Sequence, residues 1–553
     1  MHNLKNVKLQ KIIIVLLLSL TPGLFCFAQN TGLKDNIRIR LEQDQPDIPL
    51  NVQGNELFAK GDIHQFYTNR LFEPVWIQAG VLTELAYELR FEIMQSKFDG
   101  LNPSDYYLDH INSIFEQFEG NKKTGQANGL DELTGIELLL SDAFFHLAAH
   151  LELGKVNPES LKGDWEITRK TSKVSYPELL SSALAQQQIR QSLETLYPNI
   201  TVYKKGREVI RAIDEIRKKD TLNWKAVKVV KSIKVGETNS SIPNLRERLV
   251  FWKYLEPYAY EDEKAYDSTM FLAVQKFQER NGLEPDGALG KNTVYALNQS
   301  PTYLIDKASV NMERLRWLPD TLRGAEMILV NIANYQLDYL SNRDTLFSTR
   351  VIVGTKYHKS PIFSSAMSYI VFSPYWNLPT SIVRNEVMPA VRKNPNYLVQ
   401  KNMEVVTYSG QAVDPSSVNW SGKSIPYMVR QKPGEHNSLG LVKFMFPNEH
   451  SVYIHDTPAR SLFSREDRAL SHGCIRIQNP ATFAQLLLKG NGAWTPEKIN
   501  AAMHQKHEQI VRLDRKIPVV LLYLTFWADS KGQGHFRQDI YDRDAEVLSA
   551  LRE

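Results

Sequence analysis

The spacing of apolar residues divides the chain into regions. From about 36 to 240 they recur every three or four positions, most clearly over 82–94 and 133–153, which predicts amphipathic helices. Asp99-Gly100 and Asn102-Pro103 mark turns within that region. Residues 241–300 predict three short helices. The first covers roughly 243–254. The second begins at Asp267-Ser268, carries Phe271, Val274 and Phe277 on one side, and stops at Asn281-Gly282. The third, through Val294 and Leu297, follows a turn at 286–293. After Ala308 the period falls to two: 327–333 alternates through Ile328, Val330 and Ile332, and 350–354, 369–372, 451–455 and 519–526 read as further strands. An antiparallel sheet or barrel is predicted. Between Pro379 and Asn437 the chain is polar and punctuated by Asn394-Pro395, Asp414-Pro415 and Lys432-Pro433-Gly434. So long an interval inside a compact domain predicts a lid or subdomain.

The expected fold class is α+β and multidomain. Residues 1–28 form an export signal, 29–240 a mostly helical scaffold and 241–300 a small three-helix module. Residues 301–325 form a linker helix, 326–527 a β-rich domain with an insert at about 380–436, and 528–553 a C-terminal tail.

The export signal rests on Lys5, Lys8 and Lys11, an apolar run from Ile12 to Leu20, a break at Pro22-Gly23, and small residues at Cys26 and Ala28. Cleavage is expected after Ala28, and the mature protein is expected in the periplasm or cell envelope. The apolar run is shorter than the roughly 20 residues of a spanning helix, so the membrane is expected to matter only through this signal. Removing it takes the formal charge from +4 to +1, because it carries three lysines and no acid. With 42% hydrophobic and 23% charged residues and no basic run, the chain reads as globular, and nucleic acid is not an expected partner.

Only two cysteines occur, and the signal contains one of them, so Cys474 is left as the single mature thiol. It stands in Ser471-His472-Gly473-Cys474-Ile475-Arg476. A glycine beside a cysteine lets the backbone approach a substrate closely, and successive N–H groups there can hold a developing oxyanion. A thiol near neutral pH needs a base or cation to become nucleophilic, and His455 and His472 are candidates. In the strand ending at His455, Val452 and Ile454 face one way, and Tyr453 and His455 the other. His146 and His150, four apart on a helix, lack the Glu that a zinc-protease helix places after its first His; Leu147 stands there. They read as ordinary helix. No metal and no cofactor are expected.

His455, fifteen intervening residues and then Ser471-His472-Gly473-Cys474-Ile475-Arg476 resemble the active-site signature of the YkuD-type L,D-transpeptidases. Arg476 and Asn479 match the residues that usually follow the cysteine. Asp456 stands where many members carry Gly, as in the large YcbB-like subgroup. The segments 373–379 and 439–448 also look like that subgroup. The module at 241–300 resembles a peptidoglycan-binding domain through 273–278 and Gly282-Leu283 followed by Asp286-Gly287. The resemblance implies Cys474 as nucleophile and His455 as base. It implies an oxyanion hole from the backbone of His472, Gly473 and Cys474, with Ser471 and Tyr453 in support. Arg476, Trp376, Gly440, Phe444 and Asn448 are expected at the substrate. Donor and acceptor peptidoglycan stem peptides are the implied partners, together with other cell-wall synthesis proteins. The implied reaction is 3→3 crosslinking through a cysteine thioester, with carbapenems as inhibitors. L,D-carboxypeptidase activity, attachment of wall proteins, and a non-catalytic wall-binding scaffold are the alternatives.

Overall fold

The computed structural model of the chain describes residues 32–45, 48–161, 165–319, 326–342 and 344–553. The expected export signal lies outside them. Among the described residues no helix is long and apolar enough to cross a membrane.

The N-terminal region is helical as its periodicity predicts, with α1 (Leu130–Leu153) its longest helix and α2 (Thr201–Arg217) among the others. His146 and His150 lie on one face of α1, their ring centroids 4.2 Å apart. Tyr106 Oη bonds His150 Nδ1 at 3.0 Å and the Phe58 ring packs at a tilt against His146, so the pair is used in packing. The small module holds α3 (Ile242–Phe251), α4 (Ser268–Arg280) and α5 (Lys291–Leu297) around Leu245, Met270, Val274, Phe277 and Leu297. Asp267 caps α4 by accepting from the Met270 N–H at 2.9 Å.

The expected linker helix, α6 (Pro301–Trp317), is instead a spine: every residue from Lys307 to Trp317 is buried. Its polar side chains are buried because each finds a partner. Arg316 donates to Asp99 O (2.7 Å) and Tyr203 Oη (2.9 Å) in the scaffold and pairs with Glu313. Asn311 donates to Thr525 Oγ1 (2.8 Å), and Arg314 pairs with Asp544 (2.6 Å). The expected C-terminal tail is also ordered structure. Phe526–Ala528 and Gly534–Phe536 form a hairpin, and α7 (Asp544–Arg552) packs on the spine.

The β-rich domain is a closed eight-stranded ring, built from β1 (Glu326–Asn331), β2 (Gln336–Ser341), β3 (Asp344–Gly354), β4 (Ile362–Phe372), β5 (Val442–Met445), β6 (Ile454–His455), β7 (Ile475–Ile477) and β8 (Gln509–Leu522). The order around it is β1-β2-β3-β7-β6-β5-β4-β8 and back to β1. It is not purely antiparallel, because β6–β7 and β8–β1 are parallel joints. Eight strands enclose a space that side chains can fill, and Val330, Leu337, Val353, Phe444, Ile454, Ile475 and Val519 are among those buried there. The scaffold strand Trp165–Glu166 adds in parallel to β4.

The insert after Pro379 is a folded subdomain. Trp376–Asn377, Met428–Gln431, Met403–Val406 and Ala412–Val413 form a four-stranded sheet, and Leu378, Val383, Val387, Leu398, Val405 and Val429 form a separate apolar core. Val383–Val387 is a π-helical turn leading into Met388–Lys393. Pro389 has no N–H to continue an ordinary helical ladder at that point.

Candidate active site

Two short strands build the site. In the parallel pairing of β6 and β7, Ile454 lies opposite Ile475 and His455 opposite Arg476. Both isoleucines are fully buried in the ring. Side chains alternate along a strand, so His455 and Arg476 point out of the ring on one face, and Tyr453 and Cys474, one step earlier, share it. The aliphatic alternation thus brings the expected nucleophile and base onto neighbouring strands.

The His455 Nδ1 atom lies 2.5 Å from Asp456 O. A carbonyl can only accept, so Nδ1 carries the proton and Nε2 keeps its lone pair. Burial, then the charges of Arg476 and Lys443, push this imidazole down to about 3. Burial also pushes the Cys474 thiol up, opposed by hydrogen bonds from Tyr453 and by the Arg476 charge. At neutral pH the site therefore holds a thiol and a neutral imidazole. Cys474 is half-buried, Tyr453 sits against it, and the ring centroids of Tyr453 and His455 are 5.6 Å apart. The buried Arg476 Nε has no partner among the described residues.

The loop before Cys474 is closely braced. Ser471 Oγ donates to Cys474 O at 2.6 Å and accepts from the Gly473 N–H at 3.1 Å. That amide is therefore not free to serve an oxyanion, contrary to expectation. The His472 and Cys474 N–H groups have no bonded partner among the described residues. Gly473 has φ +115°, a conformation open to glycine and costly for other residues. The His472 side chain is exposed, and its Nε2 lies 3.7 Å from Glu386 of the π-helical turn, so the insert meets this loop at its rim.

Three residues expected at the substrate serve the frame instead. Phe444 is fully buried and packs edge-on against Phe483 at 4.8 Å, because its position in β5 faces the ring interior. Asn448 clamps its own turn, bonding Phe446 O at 2.7 Å and Val452 O at 2.8 Å. Gly440 has φ +63° and packs on Asp456. Trp376 lies in the insert's sheet, packed against its core. Asn479 donates to Thr349 Oγ1 at 3.2 Å. Sequence reasoning missed Ser360, whose hydroxyl donates to Gly473 O at 2.7 Å; a lone serine after a lysine carries no signal of it.

Residues 325–499 match the family described as L,D-transpeptidase catalytic domain. The chain carries an L,D-transpeptidase catalytic domain. Residues 61–209 match a scaffold domain, and 238–297 a "Putative peptidoglycan binding domain". Over 316 residues the chain is 32% identical to a protein of Haemophilus influenzae named "Putative L,D-transpeptidase". That match covers 55% of this chain and 63% of the relative, so the chain spans less than two thirds of its length. Among solved structures, an L,D-transpeptidase from Xylanimonas cellulosilytica is 13% identical, covering 54% of this chain and all of that one, at a TM-score of 0.18. One from Stackebrandtia nassauensis is 14% identical, covering 52% and 94%, at 0.19. The transpeptidase domain defined by the family match stops before β8, the strand that closes the ring.

Proposed function

We propose that this chain is an exported peptidoglycan L,D-transpeptidase that forms 3→3 crosslinks through a thioester on Cys474. The observation that carries the reading is the shared outer face of Cys474, Tyr453, His455 and Arg476 on two parallel strands. It lies in a transpeptidase domain, in a chain that also carries a match to a peptidoglycan-binding domain. The export signal and an envelope location belong to the same reading.

The chemistry follows from the protonation state. The Cys474 proton passes to His455 Nε2 as sulfur attacks the carbonyl of the third residue of a tetrapeptide stem. The oxyanion meets the free N–H groups at Cys474 and His472. The C–N bond then breaks, D-alanine leaves with the proton from Nε2, and a thioester remains. The side-chain amine of a second stem attacks this thioester, gives its proton to Nε2, and expels sulfur, which recovers the proton. Arg476, whose buried Nε beside the thiol has no partner among the described residues, is suited to a stem carbonyl or carboxylate. An imidazole held neutral and oriented by Asp456 O suits both proton transfers.

Purified protein incubated with disaccharide-tetrapeptide and analysed by mass spectrometry tests the reading. Dimers lacking one D-alanine support it. Tripeptide alone would indicate a carboxypeptidase, and unchanged substrate a non-catalytic protein.

A further inference from the structure

The nucleophile loop is held from behind by residues outside the expected machinery. Ser360, fully buried, donates its hydroxyl to Gly473 O at 2.7 Å and accepts from the Gly354 N–H at 3.0 Å. The Ser360 N–H donates to Tyr541 Oη at 3.2 Å, and Tyr541 Oη donates to Gly354 O at 2.6 Å. One phenol thus clamps both sides of the turn that presents Ser360. The turn is tight: a Cβ on Gly354 would fall 2.0 Å from His358 O. Tyr541 is itself 1% exposed and stacks on Tyr523, with ring centroids 5.5 Å apart. It comes from the C-terminal segment, beyond the residues that match the transpeptidase domain.

A trans peptide is planar, so the Gly473 carbonyl and the Cys474 N–H point in opposite directions. Anchoring Gly473 O on the buried Ser360 therefore aims the Cys474 N–H away from the interior, toward the side where a substrate carbonyl arrives. Gly473 at φ +115° lets the peptide take this orientation. Ser471, by holding the Gly473 N–H and Cys474 O, fixes the two flanking peptides.

We infer that Ser360 is a positioning residue that aims the Cys474 N–H at the reacting oxyanion, and that Tyr541 holds Ser360 for this task. The inference rests on the proposed acyl-transfer function. It separates two properties of the same thiol. Acylation by a carbonyl electrophile passes through a tetrahedral oxyanion and needs the aimed N–H. Alkylation by iodoacetamide displaces iodide at a saturated carbon, forms no oxyanion, and needs only the sulfur.

The test uses the full chain, Ser360→Ala and Tyr541→Phe, each checked for folding by circular dichroism. Acylation is followed with a carbapenem by absorbance and intact mass, and alkylation with iodoacetamide by intact mass. Loss of a whole oxyanion donor costs about 10²–10³ in rate. A donor present but misaimed is expected to cost less. Ser360→Ala should slow acylation about 10–100-fold and Tyr541→Phe by a smaller factor, both with alkylation within about twofold of the parent. A Ser360→Ala variant acylated at the parental rate overturns the inference and leaves the proposed function standing. So does an equal fall in both reactions, which marks a collapsed loop. A parent chain that alkylates but is never acylated overturns the acyl-transfer function itself, and the inference with it.

Discussion

Gly440 and Asp456 occupy each other's space: a Cβ added to Gly440 would fall 2.4 Å from the Asp456 carboxyl carbon. The buried Asp456 carboxylate accepts from the Leu441 N–H at 2.9 Å, and its own carbonyl accepts from His455 Nδ1. The aspartate beside the base is thus matched to a glycine sixteen positions earlier, which accounts for the departure from Gly after His455. Gly440→Ala adds a methyl group at φ +63° against that carboxylate. It should lower stability by about 1–3 kcal/mol and slow acylation. Asp456→Gly in the same chain should recover part of the stability loss. Urea unfolding of the single and double variants reads this coupling, and strict additivity would contradict it.

Cys474→Ala should leave the fold intact, since the thiol is half-buried at the end of a loop held by other groups. It should abolish crosslinking, because losing the nucleophile commonly costs on the order of 10⁶ in rate. Mass spectrometry of the variant after carbapenem treatment should show no adduct, and undiminished dimer formation would exclude the cysteine mechanism.

Acid should weaken the fold through histidines that packing keeps neutral. His455 is held near 3 and His146 near 4, and His150 also lies well below its usual value, chiefly because burial disfavours the charged ring. These folded-state values lie below the ordinary 6.5. The unfolded chain therefore binds more protons as pH falls from about 6.5 toward 4, and stability falls with it. Thermal melts should show Tm dropping through that window, and His146→Phe should flatten the slope. A Tm unchanged by this substitution at pH 5 relative to pH 7.5 would be inconsistent with the buried neutral ring.

The insert should move as a body over the cleft. Its sheet has an apolar core, whereas the Glu386–His472 pair at the rim is exposed on both sides and 3.7 Å apart. Such pairs contribute about 0–1 kcal/mol. Hydrogen exchange should find Val405 and Val429 amides as protected as the ring strands, and the Val383–Val387 turn opening quickly. Equal, strong protection of both would rule out a lid.

Legibility followed hydrophobic contrast. The Val452 and Ile454 alternation sets His455 on the opposite face of its strand, and Asp267 marks its helix start, because each signal is local. The spine helix offered no such contrast. Lys307, Asn311, Glu313, Arg314 and Arg316 look solvated in sequence and are buried through partners as distant as Asp99 and Asp544. β2, β5 and β7 give no clear strand signal in sequence, because each is short or carries polar residues among its apolar ones. Resemblance points Phe444 to the substrate, although Val442 and Phe444 alternate with the more exposed Lys443 and Met445 and so turn into the ring. Ser360 and Tyr541 meet Gly473 and Gly354 only through tertiary contacts that no sequence period encodes.

The ring has a practical consequence for handling the chain in pieces. A fragment ending at residue 499 omits β8, which lies between β1 and β4. Both of those strands would then present unpaired backbone groups, the arrangement that invites strand-to-strand association between molecules. Such a fragment should elute as aggregates during size exclusion. A workable minimal unit must reach past Leu522, and to keep Tyr541 it must run nearly to the end of this sequence.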